Sequence, residues 1–189
     1  MRQLVHHVLH SSIFRSVPLL VLTQVPLLST VRVARQGDAA FLRKMAVAAV
    51  SGDERLRVDD LGDVDRSAAL RMVDGWPRGG DGGVVGVVGG VPWGASWYRL
   101  FEHAELSSPW ADPQVPELVI AVRRHFRGRG LGTLLMRSLQ DRARTDGYHA
   151  LDLEVGEANG PALALYGKVG FETLGRATPN AVWMRLSLD

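Results

Sequence analysis

The sequence predicts one α/β domain, a mixed sheet flanked by helices on both faces. Between Val31 and Gly170 extended apolar runs alternate with stretches of helical spacing, and the chain then finishes on two strand-like segments. Bulk agrees: 189 residues with 46% hydrophobic and 22% charged content can bury one full core.

Residues 1–29 read as an N-terminal extension and residues 30–189 as the domain. The extension holds His6, His7 and His10, then an apolar run over 17–28 that Pro18 and Pro26 interrupt. Only Arg2 makes its start basic, no small-x-small cleavage site follows, and the run is too short for a bilayer, which argues against a signal peptide or a membrane span. The three histidines lack the carboxylate or cysteine company of a metal site.

Residues 31–34 read as a strand, and Asp38 as the cap of a helix on which Phe41, Leu42, Met45 and Ala49 recur at helical spacing. A second helix is expected over 63–73, ending before Gly75, Trp76 and Pro77. The glycine and valine alternation of 79–90 runs into 91–100 with no helix signalled next. It therefore reads as two strands around a Gly89-Gly90 turn, not as a phosphate loop. Residues 102–115, with Pro109, Pro113 and Pro116 near their end, form a loop long enough to carry a role. Trp93, Trp97, Tyr98 and Trp110 fit an acceptor pocket, a core or a homodimer surface equally well.

A strand over 117–122 is followed by a basic, glycine-bearing turn and a helix whose Leu131, Leu134, Leu135, Leu139 and Ala143 share a face, with Gly147 as its stop. Another strand over 150–155 leads to Asn159 and Pro161, which open a short helix through Ala162, Leu165 and Val169 to Gly170. Strands over 171–174 and 182–188 finish the chain.

Charge narrows the function classes. Lys and Arg total 22 against 20 Asp and Glu, so the net charge is only +2, and the arginine richness (Lys44 and Lys168 are the lysines) does not by itself indicate nucleic acid. With no cysteine, disulfides and thiolate metal sites are excluded; no metal is expected, and a cytoplasmic location is.

One turn carries chemistry. Arg127, Gly128, Arg129, Gly130, Leu131, Gly132 and Thr133 leave a strand and open a helix, where backbone amides and the helix dipole converge on an anion. Arg123, Arg124, Arg127 and Arg129 add charge suited to a pyrophosphate or ribose phosphate. The segment lacks the lysine of a Walker loop, and its glycines fall at G-x-G-x-G instead of G-x-G-x-x-G, so neither ATP nor NAD is supported. The plainer reading is a tight strand-to-helix connection.

The run R-G-R-G-L-G resembles the R-x-x-G-x-G signature of the GNAT family of N-acetyltransferases, with Arg127, Gly130 and Gly132 at the signature positions. Downstream, Asn159, Ala162, Leu165, Tyr166, Lys168, Gly170 and Phe171 reproduce the family's N-x-x-A-x-x-L-Y-x-K-x-G-F segment. Two motifs in order imply the acyl-CoA N-acyltransferase fold, with splayed central strands, and acetyl-CoA as the acyl donor. The implied acceptor is a small-molecule amine or a peptide N-terminus, with no nucleic-acid or membrane partner. Arg124 departs from the pattern, since relatives often carry proline there.

The resemblance also assigns roles. The pantetheine arm would run along the fourth strand, where amides near Ala121 and Val122 receive the thioester oxygen, and Tyr166 would protonate the leaving thiolate. Two glutamates are candidates for the base. In L-D-L-E-V, Asp152 and Glu154 share one strand face, and a carboxylate there is costly unless it opens onto a cleft. Glu154 also resembles the base of bacterial ribosomal-protein alanine acetyltransferases, although Gly156 stands where those tend to have arginine. Glu117 reads more simply as a solvated residue capping its strand, able to act through water. Asn159 is either a helix cap or a contact to the pantetheine. The rival from another class is a non-catalytic acyl-CoA-binding module, against which intact Tyr166 and Glu154 argue.

Overall fold

The computed structural model describes residues 29–189; the apolar run and the three histidines of the extension lie outside them. In chain order the elements are β1 (Ser29–Val33), α1 (Ala39–Ser51), α2 (Asp63–Arg71), β2 (Gly82–Val88), β3 (Val91–Arg99), β4 (Glu117–Val122), α3 (Leu131–Thr145), β5 (Ala150–Gly156), α4 (Gly160–Lys168), β6 (Glu172–Thr178) and β7 (Ala181–Ser187). The strands form one seven-stranded mixed sheet in the order β1-β2-β3-β4-β5-β7-β6, in which only β4 and β5 run parallel.

Helices cover both faces. Leu42, Met45, Ala46 and Val47 of α1 pack with Ala69 and Met72 against Val85, Ala95, Trp97 and Ala121. On the opposite face Leu131, Leu135, Met136 and Leu139 of α3 and Tyr166 of α4 pack on Val84, Tyr98, Leu118, Leu151, Leu153 and Val155. Each fully buried leucine contributes roughly 1.5–3 kcal/mol.

The glycines of β2 make room for aromatic rings on β3. A Cβ on Gly82 would collide with the Tyr98 phenol, and one on Gly86 with the Trp93 indole. The pairing passes from Gly86↔Gly94 to Val87↔Pro92, which skips Trp93. That bulge turns Trp93 onto the α3 face, although Ala95 and Trp97 on the same strand face α1. All three aromatics, Trp93, Trp97 and Tyr98, are fully buried and therefore core, not pocket lining. The Gly89-Gly90 turn is tight as expected, with φ of 55° and 80°.

Two expectations need correction. Asp38 does not cap α1 with its side chain; its carboxylate turns back to accept the Arg35 amide at 2.7 Å and two bonds from the Arg32 guanidinium. An ion pair with Arg32, six positions back on β1, outcompeted the cap. The second helix ends at Arg71, short of the expected residue 73, and Arg99 braces that end. Buried against Asp81 at 2.7 Å, its guanidinium also donates to the carbonyls of Arg71 at 2.7 Å and Asp74 at 3.0 Å, satisfying acceptors a helix end leaves open.

The feature that positions the site is the seam between β4 and β5. Their pairing is confined to Glu117↔Asp152, with the Asp152 amide donating to the Pro116 carbonyl at 3.0 Å. Each strand then follows its other neighbour, β4 along β3 and β5 along β7, and the two part. Beyond the vertex, backbone groups of β4 that face β5 carry no ladder.

Candidate active site

The turn from β4 to α3 spends its first amides on itself and leaves the later ones open. Arg123 donates its amide to the Trp93 carbonyl at 2.9 Å, Arg124 to the Glu54 carboxylate at 3.2 Å, Phe126 to the Arg123 carbonyl at 2.8 Å and Arg127 to the Arg124 carbonyl at 3.2 Å. Gly128 and Gly130 then adopt left-handed φ of 72° and 77°, conformations a residue with a Cβ rarely takes. The first helical bond runs from the Leu134 amide to the Gly130 carbonyl. Ahead of it, the amides of Gly128, Arg129, Gly130, Leu131, Gly132 and Thr133 find no acceptor among the described residues, as geometry dictates for a helix start. Open amides at a helix start are the arrangement that suits an anion.

The residues of this turn differ in what they do. Arg127 braces it, donating Nε to the Val122 carbonyl at 2.8 Å, while Arg129 is exposed. Leu131 is buried in the core on the α3 face. Gly132 admits α4, since a Cβ there would stand 3.2 Å from Leu165 Cδ2. Ala121 and Val122 end β4, paired to Ala95 and Gly94 on the β3 side only. Asn159 is a helix cap, its Oδ1 accepting the Ala162 amide at 3.2 Å.

Across the sheet lies a row of carboxylates. Glu117 is not solvated: only 7% of it is exposed. Arg71 Nη1 donates to its Oε2 at 2.6 Å and Nη2 to its Oε1 at 3.3 Å, and the same guanidinium stands 3.9 Å from the Phe101 ring centre. Burial raises the Glu117 carboxyl above the usual glutamate range; Arg71 opposes that rise, and the charges of Asp152 and Glu154 add to it. Asp152, its register partner, is wholly buried and saturated. Arg185 donates to both its oxygens at 2.7 Å, and the Trp183 indole N–H donates to Oδ2 at 3.0 Å. Glu154, opposite Trp183 on the same face, is exposed and has no ion-pair partner among the described residues. It is the open acid of the row.

Tyr166 belongs to the other face. It is 7% exposed, its ring 5.6 Å from that of Phe171, and burial pushes its phenol up to about 12. Its hydroxyl has no hydrogen-bond partner among the described residues and keeps its proton at neutral pH. The phenol and the carboxylate row thus lie on opposite faces of the sheet whose β4 and β5 pair only at Glu117 and Asp152.

Sequence reasoning missed Arg71 and Arg185; the 102–115 loop, expected to carry a role, packs Trp110 on β6. Trp110, 41% exposed, lies against Gly175, donates its indole N–H to the Arg176 carbonyl at 2.9 Å and receives Arg185 Nη2 on its own carbonyl at 3.4 Å. The one signal was a buried acid needing a base. Among the described residues no group of His, Asp or Glu is placed to hold a metal, and no helix is long and apolar enough to cross a membrane.

The chain is similar to known acetyltransferases. Over 79 residues, 37% of this chain and 46% of that protein, it is 35% identical to the L-methionine sulfoximine/L-methionine sulfone acetyltransferase of Pseudomonas paraeruginosa. It spans less than half the length of the curated relatives it matches. Its fold is that of the ribosomal-protein-alanine N-acetyltransferase of Brucella melitensis (TM-score 0.62, 22% identity, 84% of this chain and 99% of that one). It is also that of a Salmonella typhimurium protein solved with its cofactor acetyl-CoA (TM-score 0.62, 23% identity, 85% and 94%). Residues 44–171 match the acetyltransferase (GNAT) family, well over half of the sequence, and the chain belongs to that family.

Proposed function

We propose that the protein is an acetyl-CoA-dependent N-acetyltransferase that moves an acetyl group directly to a primary amine. The observation that carries this is the seam at Glu117 and Asp152, beyond which β4 and β5 part between an amide-lined turn and the open acid Glu154.

The residues present fit the donor. The amides of Gly128, Arg129, Gly130, Leu131, Gly132 and Thr133 would hold its pyrophosphate, with Arg123 and Arg129 nearby, and Ala121 and Val122 would flank the pantetheine arm. When bound, acetyl-CoA supplies the acyl thioester. Glu154 takes a proton from the acceptor ammonium and leaves a neutral nucleophile. Glu117, fixed by Arg71, is the second carboxylate and reaches the amine through water. Open amides of β4 near Ala121 and Val122 donate to the carbonyl oxygen as negative charge develops. Tyr166, still protonated, would give its proton to the departing sulfur as the C–N bond replaces the C–S bond, and the proton shed by the new amide nitrogen would pass to solvent, from which the phenol is reprotonated.

The acceptor is a cationic amine, drawn to a face where Arg71 and Arg185 balance two of three carboxylates and leave Glu154 uncompensated. Relatives span a small amino-acid analogue and a ribosomal protein, so small-molecule amines and protein N-termini both belong in the test. We assign it to the cytoplasm, where the donor is available. The experiment is a screen of amino-acid analogues, polyamines, aminoglycosides and peptide N-termini with acetyl-CoA, read as free thiol. Acceptor-dependent thiol release is expected. Tight acetyl-CoA binding in calorimetry with no release for any acceptor would replace the enzyme by a non-catalytic acyl-CoA-binding module.

A further inference from the structure

The segment joining α1 to α2 reaches the β4-to-α3 turn through one side chain. Glu54, its side chain 14% exposed, accepts the Arg124 amide on Oε2 at 3.2 Å, and the same oxygen lies 3.7 Å from Arg123 Nε. From the other side the turn is tied to β3 by the bond from the Arg123 amide to the Trp93 carbonyl and by the Phe126 ring, 6.4 Å from that of Trp93. The stretch whose next residues carry the open amides is thus held between two braces, one of them a charged side chain 70 positions away.

The backbone explains why a brace is needed. Arg124 opens a single 3-10 turn, and Arg123 before it is extended, with φ −57° and ψ 141°. A proline at 124 would suit that geometry: first in a helical turn, after an extended residue, with no N–H to satisfy. Arginine fixes no φ and exposes a donor. Glu54 takes that donor and pairs with the neighbouring guanidinium.

We propose that Glu54 is a positioning residue for the donor site, holding the turn by hydrogen bond and charge where a cyclic residue would hold it covalently. The proposal rests on the reading of this turn as the pyrophosphate site. It also links donor affinity to the α1–α2 segment that carries Glu54.

The test is a double-mutant cycle in the full chain. Glu54→Ala should raise KM and Kd for acetyl-CoA about tenfold, the scale of one charge-assisted hydrogen bond, with kcat at saturation retained. Glu54→Gln, which keeps an acceptor but not the charge, should fall between. On an Arg124→Pro background Glu54→Ala should change affinity less than about twofold, because the amide it served is gone. Amide hydrogen exchange over residues 124–133 of the ligand-free protein gives a second readout, faster in Glu54→Ala and restored by the proline. Unchanged KM and exchange in Glu54→Ala, or an equal loss with and without the proline, overturns the proposal. A wild-type protein that binds no acetyl-CoA overturns the donor-site reading as well.

Discussion

The two sides of the parted seam are built differently. The donor turn is contiguous in the groups that would meet a ligand: residues 128–133 supply its open backbone amides, although Glu54 and Trp93 brace the residues just before them. The carboxylate row is assembled from afar, with Arg71 reaching Glu117 across 46 positions and Arg185 reaching Asp152 across 33. A backbone site tolerates changes of side chain; a side-chain site fails when one partner leaves. That contrast can be broken or sharpened by substitution.

The largest effect is expected at the phenol. Tyr166→Phe removes a hydroxyl that makes no bond among the described residues, so stability and acetyl-CoA affinity should hold while kcat falls by about 10²–10⁴. Steady-state kinetics beside a urea melt decide it; an unchanged kcat rejects Tyr166 as the acid.

Next comes Arg185→Met, which strands the buried Asp152 charge with only the Trp183 indole for company. Urea denaturation at neutral pH should show a loss of about 3–5 kcal/mol, because an uncompensated buried charge bears the desolvation cost alone. A loss under 1 kcal/mol would mean that water reaches Asp152 and that the row is less dry than drawn.

Arg71→Met probes the same row through pH. Burial already raises Glu117, and losing Arg71 removes the opposing influence, so its folded value should climb further. A carboxyl raised in the folded state binds protons there before the unfolded chain does. Its contribution to stability is full below the unfolded value of about 4.5 and fades as pH rises through the folded one. The variant should therefore regain stability relative to wild type on acidification from pH 7, and any acidic limb of kcat/KM that reports Glu117 should move upward. Glu154→Gln should depress the rate most at low pH, where the acceptor is protonated, and Glu117→Gln less. A crippled Glu117→Gln beside a normal Glu154→Gln would reverse the two roles.

The smallest change belongs to the donor turn. Gly130→Ala, at a left-handed φ of 77°, should cost about 1–2 kcal/mol in a thermal or urea melt and weaken acetyl-CoA binding without touching kcat. A kcat effect as large as that of Tyr166→Phe would show that the turn governs the chemistry as well as the grip.

Where a structural outcome depends on neighbours in the chain, the sequence determined it. The Gly89-Gly90 hairpin, the Asn159 cap, the bounds of β4 at Glu117 and Val122, and the amide-bearing turn around Gly130 all follow from local backbone chemistry that a dozen residues encode. The family segment around Tyr166 marked the phenol for the same reason. Tertiary structure decided what depends on distant partners. It buried Glu117, which its position after Pro116 suggested was solvated, because α2 brings Arg71 over the vertex. It drew the Trp93 ring to the face opposite Ala95 through a skipped pair with β2. It also matched the Arg124 amide, where the family pattern has proline, to the Glu54 carboxylate. In each case the free energy lies in a pairing or a desolvation between segments that only the folded sheet makes adjacent, so no local pattern of residues carries its signal.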